Sequence, residues 1–165
     1  MTIQIYVGTY GKYASGSIAG KWLDLEDYSD SADFYTACRE LHKGESDPEF
    51  MFQDYEGFPS GLYCESGNID AIYEFIALPE WEREIVEVYL SYDNNLSFKD
   101  IVESYAGTYD SLEDYAIEYC DSTGALADVP DFISYHIDYE SMGRDLTDNM
   151  TTIENNGSVW FFDNI

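Results

Sequence analysis

Apolar and polar positions alternate at the start of the chain: Ile3, Ile5 and Val7 interleave with Thr2, Gln4 and Tyr6, the two-residue period of a strand with one buried face. Gly8, Gly11, Gly16 and Gly20 then break the pattern and predict a loop or hairpin before a short strand over 21–25. Ser31 is placed to cap a helix over 32–42, with Gly44 just beyond its end. Residues 50–55 predict a further strand, closed by Gly57 and Pro59. Asn68 is placed to cap a helix ending near residue 77, and Pro79 suits the first turn of a second helix reaching residue 92. Along that second helix Trp81, Ile85, Val88 and Tyr92 fall at spacings of four, three and four, which predicts one apolar stripe. Glu80, Glu84 and Glu87 occupy the opposing side, with Glu82 at the border and Arg83 the one cation among them. Glutamates three and four residues apart cost a few tenths of a kcal/mol per pair. A helix built for stability alone would place lysines between them.

Further on, Ser97 with Asp100 and Ser111 with Asp114 match the capping-box spacing, with Asp in place of the preferred Glu. They predict helices starting near Phe98 and Leu112. Pro130 opens another short helix, and a helix over 138–146 follows. Residues 151–154 and 158–162 flank Asn155-Asn156-Gly157, a hairpin signal because Asn-Gly accepts the positive φ of a tight turn. The fold class expected is α+β in three small subdomains: a mixed one over 1–61, a helical one over 62–103, and one of helices plus a β-hairpin over 104–165. No linker-like stretch and no repeat of 20–50 residues interrupts the chain.

Charge changes the picture. Asp and Glu total 34 against 7 Lys and Arg in 165 residues, for a formal net charge of -27. With 45% hydrophobic and 17% aromatic residues, this is a folding composition and not an acidic disordered tail. Ten acids and no base lie between Lys43 and Arg83, and eleven acids and no base between Lys99 and Arg144, so the charge is threaded through every element. Direct nucleic-acid binding is excluded because the phosphates would be repelled, and anionic membrane surfaces are disfavoured on the same ground. No apolar run approaches the ~18 residues of a membrane span. The opening MTIQIYVGTY has neither a basic segment nor a cleavage-like apolar stretch, which points to the cytoplasm. Cys38, Cys64 and Cys120, odd in number and without a C-x-x-C, read as reduced thiols.

Candidate chemistry is sparse. The glycine-rich stretch 8–16 lacks the G-K-[ST] ending of a phosphate loop and reads as a hairpin loop. Asp27, Ser29, Ser31 and Asp33 alternate like early calcium ligands, but Ala32 replaces the turn glycine and Cys38 the bidentate Glu, so a helix start is expected there. His42 and His136 have no partner motif and read as surface or satisfied core residues. No cofactor is expected. Among 34 acids some pair always sits at glycosidase spacing, so a carboxylate-pair hydrolase stays as an alternative, as does a calcium-binding acidic module. The 16 tyrosines read as core-edge residues that also donate to crowded carboxylates. Salt adaptation is the plain rival for the acidity, and the 9 Phe, 16 Tyr and 3 Trp argue against it. At one phosphate per ≈ 1.7 Å of axis, a charge of -27 equals about 46 Å of duplex, close to the ~40 Å diameter expected for a chain of this size. Concentrating such charge costs self-repulsion, and occupying the basic cleft of a DNA-binding protein is the simplest reason to keep it.

Three segments, QDYEGFP over 53–59, SYAGTYDSLEDYA over 104–116 and VPDFISYHIDYESMGRDL over 129–146, resemble the ArdA antirestriction proteins, and the resemblance spans essentially the whole chain. Met142-Gly143 stands where an aromatic and Ala are more usual, read as a tolerated packing change. The resemblance implies a non-enzymatic DNA mimic carried by conjugative transposons and other mobile elements. It would occupy the DNA groove of a type I restriction-modification enzyme as an elongated, curved homodimer. It also implies an antirestriction motif at about 126–140, associated with the dimer contact. On this reading the imitation of phosphates falls collectively to Glu80, Glu84 and Glu87, to Asp110, Glu113, Asp114 and Glu118, and to Asp128, Asp131, Asp138 and Glu140, with Tyr135 and Ile137 seating the dimer.

Overall fold

The computed structural model describes residues 2–164. It is mixed α+β, with two small antiparallel three-stranded sheets among helices. The chain divides into two compact units, 1–91 and 92–165.

In the first unit the sheet has the order β2-β1-β3, with β1 Gln4–Thr9 between β2 Lys21–Asp24 and β3 Phe50–Glu56. Ile5 faces Leu23 on one side and Tyr55 on the other. The predicted alternation holds: Ile3, Ile5 and Val7 are buried, while Gln4 and Tyr6 are half-buried on the opposite face. The expected loop after β1 is instead a five-residue helix, α1 Tyr10–Ala14, started by Thr9, whose side chain accepts from the Lys12 N–H at 3.2 Å. Helix α2 Ser31–Leu41 places Phe34 and Cys38, four residues apart, into the core, where Phe34 meets Phe52 at 6.0 Å between ring centroids. Burying a Phe of this kind contributes about 2–3 kcal/mol. Its cap is Asp30, accepting from Asp33 N–H at 2.9 Å, and not Ser31, because Asp30 is the last extended residue and Ser31 already lies inside the helix. Residues 27–33 are therefore a helix start, as expected.

Helix α3 Asp70–Ala77 starts from Ile69, and Asn68, the expected cap, sits one residue further out and closes a local turn by accepting from Asp70 N–H at 2.9 Å. Helix α4 Glu80–Leu90 follows Pro79. Its buried residues are Ile85, Val86, Val88, Tyr89 and Leu90, so the stripe is turned from the one expected. Trp81 is 59% exposed, and Tyr92 lies beyond the helix end and is exposed too. The helix stops two residues early, so the four-three-four rhythm never reaches Tyr92.

In the second unit α5 Phe98–Ser104 runs directly into β4 Tyr105–Tyr109. The Ser97–Asp100 box forms, with Asp100 N–H donating to Ser97 Oγ at 3.2 Å and the hydroxyl donating back to Asp100 at 2.7 Å. The predicted hairpin is β5 Met150–Asn155 and β6 Ser158–Asp163, turned through Asn156 and Gly157 with φ of 50° and 84°. Sheet order β4-β6-β5 adds a strand that the sequence pattern did not show. Along central β6, Phe161 packs on Tyr109 and Tyr115 and Phe162 against Tyr105. Helix α6 Leu112–Thr123 ends at Gly124, and α7 Asp131–Ser134 and α8 Tyr139–Leu146 follow.

Candidate functional site

Acidic side chains gather at one groove in each unit. In the first, Pro79 fixes the start of α4, and the 3.6-residue period then sends Glu80, Glu84 and Glu87 to the solvent side while Ile85, Val86 and Tyr89 go inward. The three glutamates line a groove of about 590 Å³ floored by Ile3, Gly57 and Phe75. Glu26 joins them from the turn Leu25–Asp27, a residue the sequence did not single out. Arg83 borders the same groove but is drawn back, its Nε donating to the Leu78 carbonyl at 2.9 Å.

The second groove, about 580 Å³, collects Asp110, Glu113, Glu140 and Glu154 beside the hairpin turn. Asp110 ends the connection from β4, Glu113 lies in the first turn of α6, and Glu140 in that of α8. Glu154 is the member the sequence reading missed. It belongs to an exposed strand position whose neighbourhood only the sheet pairing creates. Negative charge in the first turn of α6 and of α8 is favoured by the helix dipole, so these acids are cheap to hold there.

The other expected acids lie outside both grooves. Asp114 is engaged by Ser111 in the α6 cap, hydroxyl to carboxylate 2.5 Å. Asp138 caps α8, accepting from the Ser141 N–H at 3.0 Å and hydroxyl at 2.8 Å, and these bonds hold its carboxyl below the usual carboxylate range. Asp70 is held low in the same way by the Ser31 and Asn68 side chains. That direction is opposite to the one a catalytic general acid requires. Glu118, Asp128 and Asp131 are exposed. Tyr135 is 82% exposed and Ile137 half-buried, and Phe132, 70% exposed, and Ile133 are exposed apolar residues close to them in the chain.

Little of the charge is neutralised. Among the described residues, lysine or arginine pairs with Glu45, Glu40, Glu103 and Glu140, the last to Arg144 one helical turn on. His42 is a satisfied core residue. Its Nε2 donates to the Val7 carbonyl at 3.2 Å, which leaves Nδ1 to accept from Lys12 Nζ at 2.7 Å, while Thr9 donates to Glu45 at 3.0 Å. Among the described residues no helix is long and apolar enough to cross a membrane.

No curated protein matches the chain. The family model described as "Antirestriction protein (ArdA)" matches residues 5–159 and so takes in every acid of both grooves and the exposed apolar residues within 132–137. The chain therefore belongs to the ArdA antirestriction family.

Proposed function

We propose that this protein is an acidic DNA mimic that occupies the DNA-binding groove of a type I restriction-modification enzyme, in the cytoplasm of the cell that a mobile element enters. The observation that carries the reading is the unbalanced surface charge. All eleven acids named from the sequence are exposed, two grooves concentrate eight of the molecule's carboxylates with Arg83 the one base among the described residues lining either, and ion pairing reaches few of the acids. Carboxylates on folded elements present negative charge at fixed positions, which is what a groove built for phosphates recognises. The protein performs no chemistry in this role and needs no cofactor.

Glu80, Glu84 and Glu87, with Glu26, form one set of phosphate substitutes. Asp110, Glu113 and Glu140, with Glu154, form another. Glu118, Asp128 and Asp131 add loose charge, and Asp114 and Asp138 stabilise helix starts while contributing theirs. The exposed Phe132, Ile133 and Tyr135, with Ile137, are the contact for a second copy, because exposed aromatic and aliphatic side chains close together in the chain are otherwise costly to hydrate. Tyr135→Asp then gives a monomer by sedimentation, and an unchanged dimer would refute the assignment.

The direct test is methylation of DNA by a type I enzyme across a salt series, with and without the protein. Inhibition that competes with DNA and weakens steeply as salt rises supports the reading. Inhibition indifferent to DNA concentration and salt, or none, overturns it.

A further inference from the structure

The face of the first sheet opposite Ile5 and Val7 carries a groove of about 500 Å³ built from rings and two carboxylates. Tyr6, on the central strand, pairs across the ladder with Trp22 on one side and Asp54 on the other. The Tyr6 and Trp22 rings stand edge to face, centroids 5.5 Å apart and planes at 73°. Tyr13, more than half exposed, Tyr63 and Glu65 also line it, beside apolar side chains that include Ile18 and Met51, and among the described residues no lysine or arginine does.

These walls are fixed before anything binds. Tyr6 Oη donates to the Ile18 carbonyl and accepts from Gly20 N–H, both at 3.1 Å. Tyr63 Oη donates to the Phe52 carbonyl at 2.6 Å. Glu65 is held twice, its carbonyl by Phe52 N–H at 2.7 Å and its carboxylate by the Tyr10 hydroxyl at 3.0 Å. A preformed site loses little of its binding energy to ordering side chains. After burial, the charges of Glu65 and Asp54 are what push the Tyr63 phenol upward, so both carboxylates bear on the same spot.

We propose that this groove docks an arginine side chain of a protein partner. A ring-lined floor flanked by carboxylates, with no cation of its own, complements a planar cation. Guanidinium stacks on an aromatic face and offers paired N–H donors to a carboxylate. An ammonium is more strongly hydrated and acts as a point charge, so lysine fits less well. An anion meets two like charges, and a wholly apolar segment would strip water from the Asp54 and Glu65 carboxylates without replacing it. The site is separate from the two acidic grooves and does not depend on their imitating phosphates.

The test uses the full chain at physiological ionic strength, titrated with acetyl-Gly-Arg-Gly-amide or its lysine counterpart while the Trp22 indole resonance is followed by NMR. The arginine peptide should give a saturable shift, and the lysine peptide should bind about fivefold more weakly. Asp54→Asn should weaken the arginine peptide about fivefold, the scale of one partly exposed charge-assisted bond. Asp47→Asn, which removes an exposed acid outside the groove, should leave it unchanged. Unaltered Trp81 and Trp160 resonances establish that both variants are folded. A shift that never saturates, equal response to the two peptides, or equal losses in the two variants would mean attraction to bulk charge alone and would overturn the proposal.

Discussion

Cys38, Cys64 and Cys120 have the same chemistry in three surroundings. Cys38 is fully buried on the inner face of α2, and removal from water pushes its thiol up to about 12, so it holds no reactive thiolate at neutral pH. Cys120 is buried and directs its Sγ to Met142 Sδ at 3.4 Å, while Cys64 is exposed. An aromatic disulfide reagent at mildly alkaline pH should therefore modify Cys64 promptly in the folded protein and Cys38 only after denaturant is added. Tyr73 makes a parallel case. Burial foremost, then the charges of Asp33 and Asp30, raise its phenol above the ordinary value, and its hydroxyl donates to the Leu25 carbonyl at 3.2 Å. The folded chain keeps this proton where the unfolded chain releases it near pH 10, so above that pH the unfolded state binds fewer protons and stability falls. The contribution is complete below about pH 10 and drains away as pH climbs through the higher folded value. Tyr28, Tyr35 and Tyr115 shift the same way. Urea midpoints should accordingly be level up to about pH 10 and drop beyond it. His42 is a polar residue buried in the core of the first unit. His42→Ala removes bonds to Val7 and Lys12 and opens a cavity, so it should cost about 2–4 kcal/mol in urea unfolding.

Among the elements, α8 shows packing overruling propensity. Gly143 is buried where α8 crosses the start of α6, and a methyl group there would press into the Leu112 carbonyl oxygen. Alanine normally gains about 1 kcal/mol over glycine inside a helix. Overpacking against backbone that cannot swing aside costs about 1–3 kcal/mol, so Gly143→Ala should destabilise by about 1 kcal/mol net in denaturant unfolding. The glycine is therefore part of how α8 seats on α6. Elements of this kind also mark what the residues alone reveal. The strand period of Ile3, Ile5 and Val7, the Ser97 and Ser111 caps and the Asn156-Gly157 turn are local signals, and each formed as read. Strand β4 escaped because its partner, β6, lies some fifty residues on, and Tyr105–Tyr109 contains a glycine at φ +139° that spoils the alternation. Helix α1 escaped because glycines flank it and Gly11 lies within it, while its first turn is held by the Thr9 cap and by contacts distant in sequence, the Tyr10 N–H donating to the Glu49 carbonyl at 3.0 Å and Lys12 reaching His42.

For the molecule as a whole, one quantity acts on stability and on function with opposite sign. The ridge Glu80, Glu84, Glu87 was legible in the sequence because a single helix supplies it. Glu26 and Glu154 were not, since each reaches its groove only through chain folding between elements. A charge of -27 with few internal partners repels itself, so added salt should raise the melting temperature by screening while it weakens the proposed inhibition of a type I enzyme. The double variant Glu84→Gln/Glu87→Gln isolates the two effects at one place. It removes like-charge contacts three and four residues apart, a gain of about 0.5 kcal/mol in thermal or urea unfolding. It also withdraws two of the proposed phosphate substitutes, and on that proposal two screened charges together should weaken inhibition about fivefold and make its salt dependence shallower. Glu80 is left in place because it sits in the first turn, where the helix dipole favours a negative charge and its loss would blur the stability gain. A more stable protein that inhibits less is the signature of charge kept for binding. A variant that loses stability and inhibition together would mean these glutamates hold the fold, and one that gains stability with full inhibition would remove the α4 ridge from the contact.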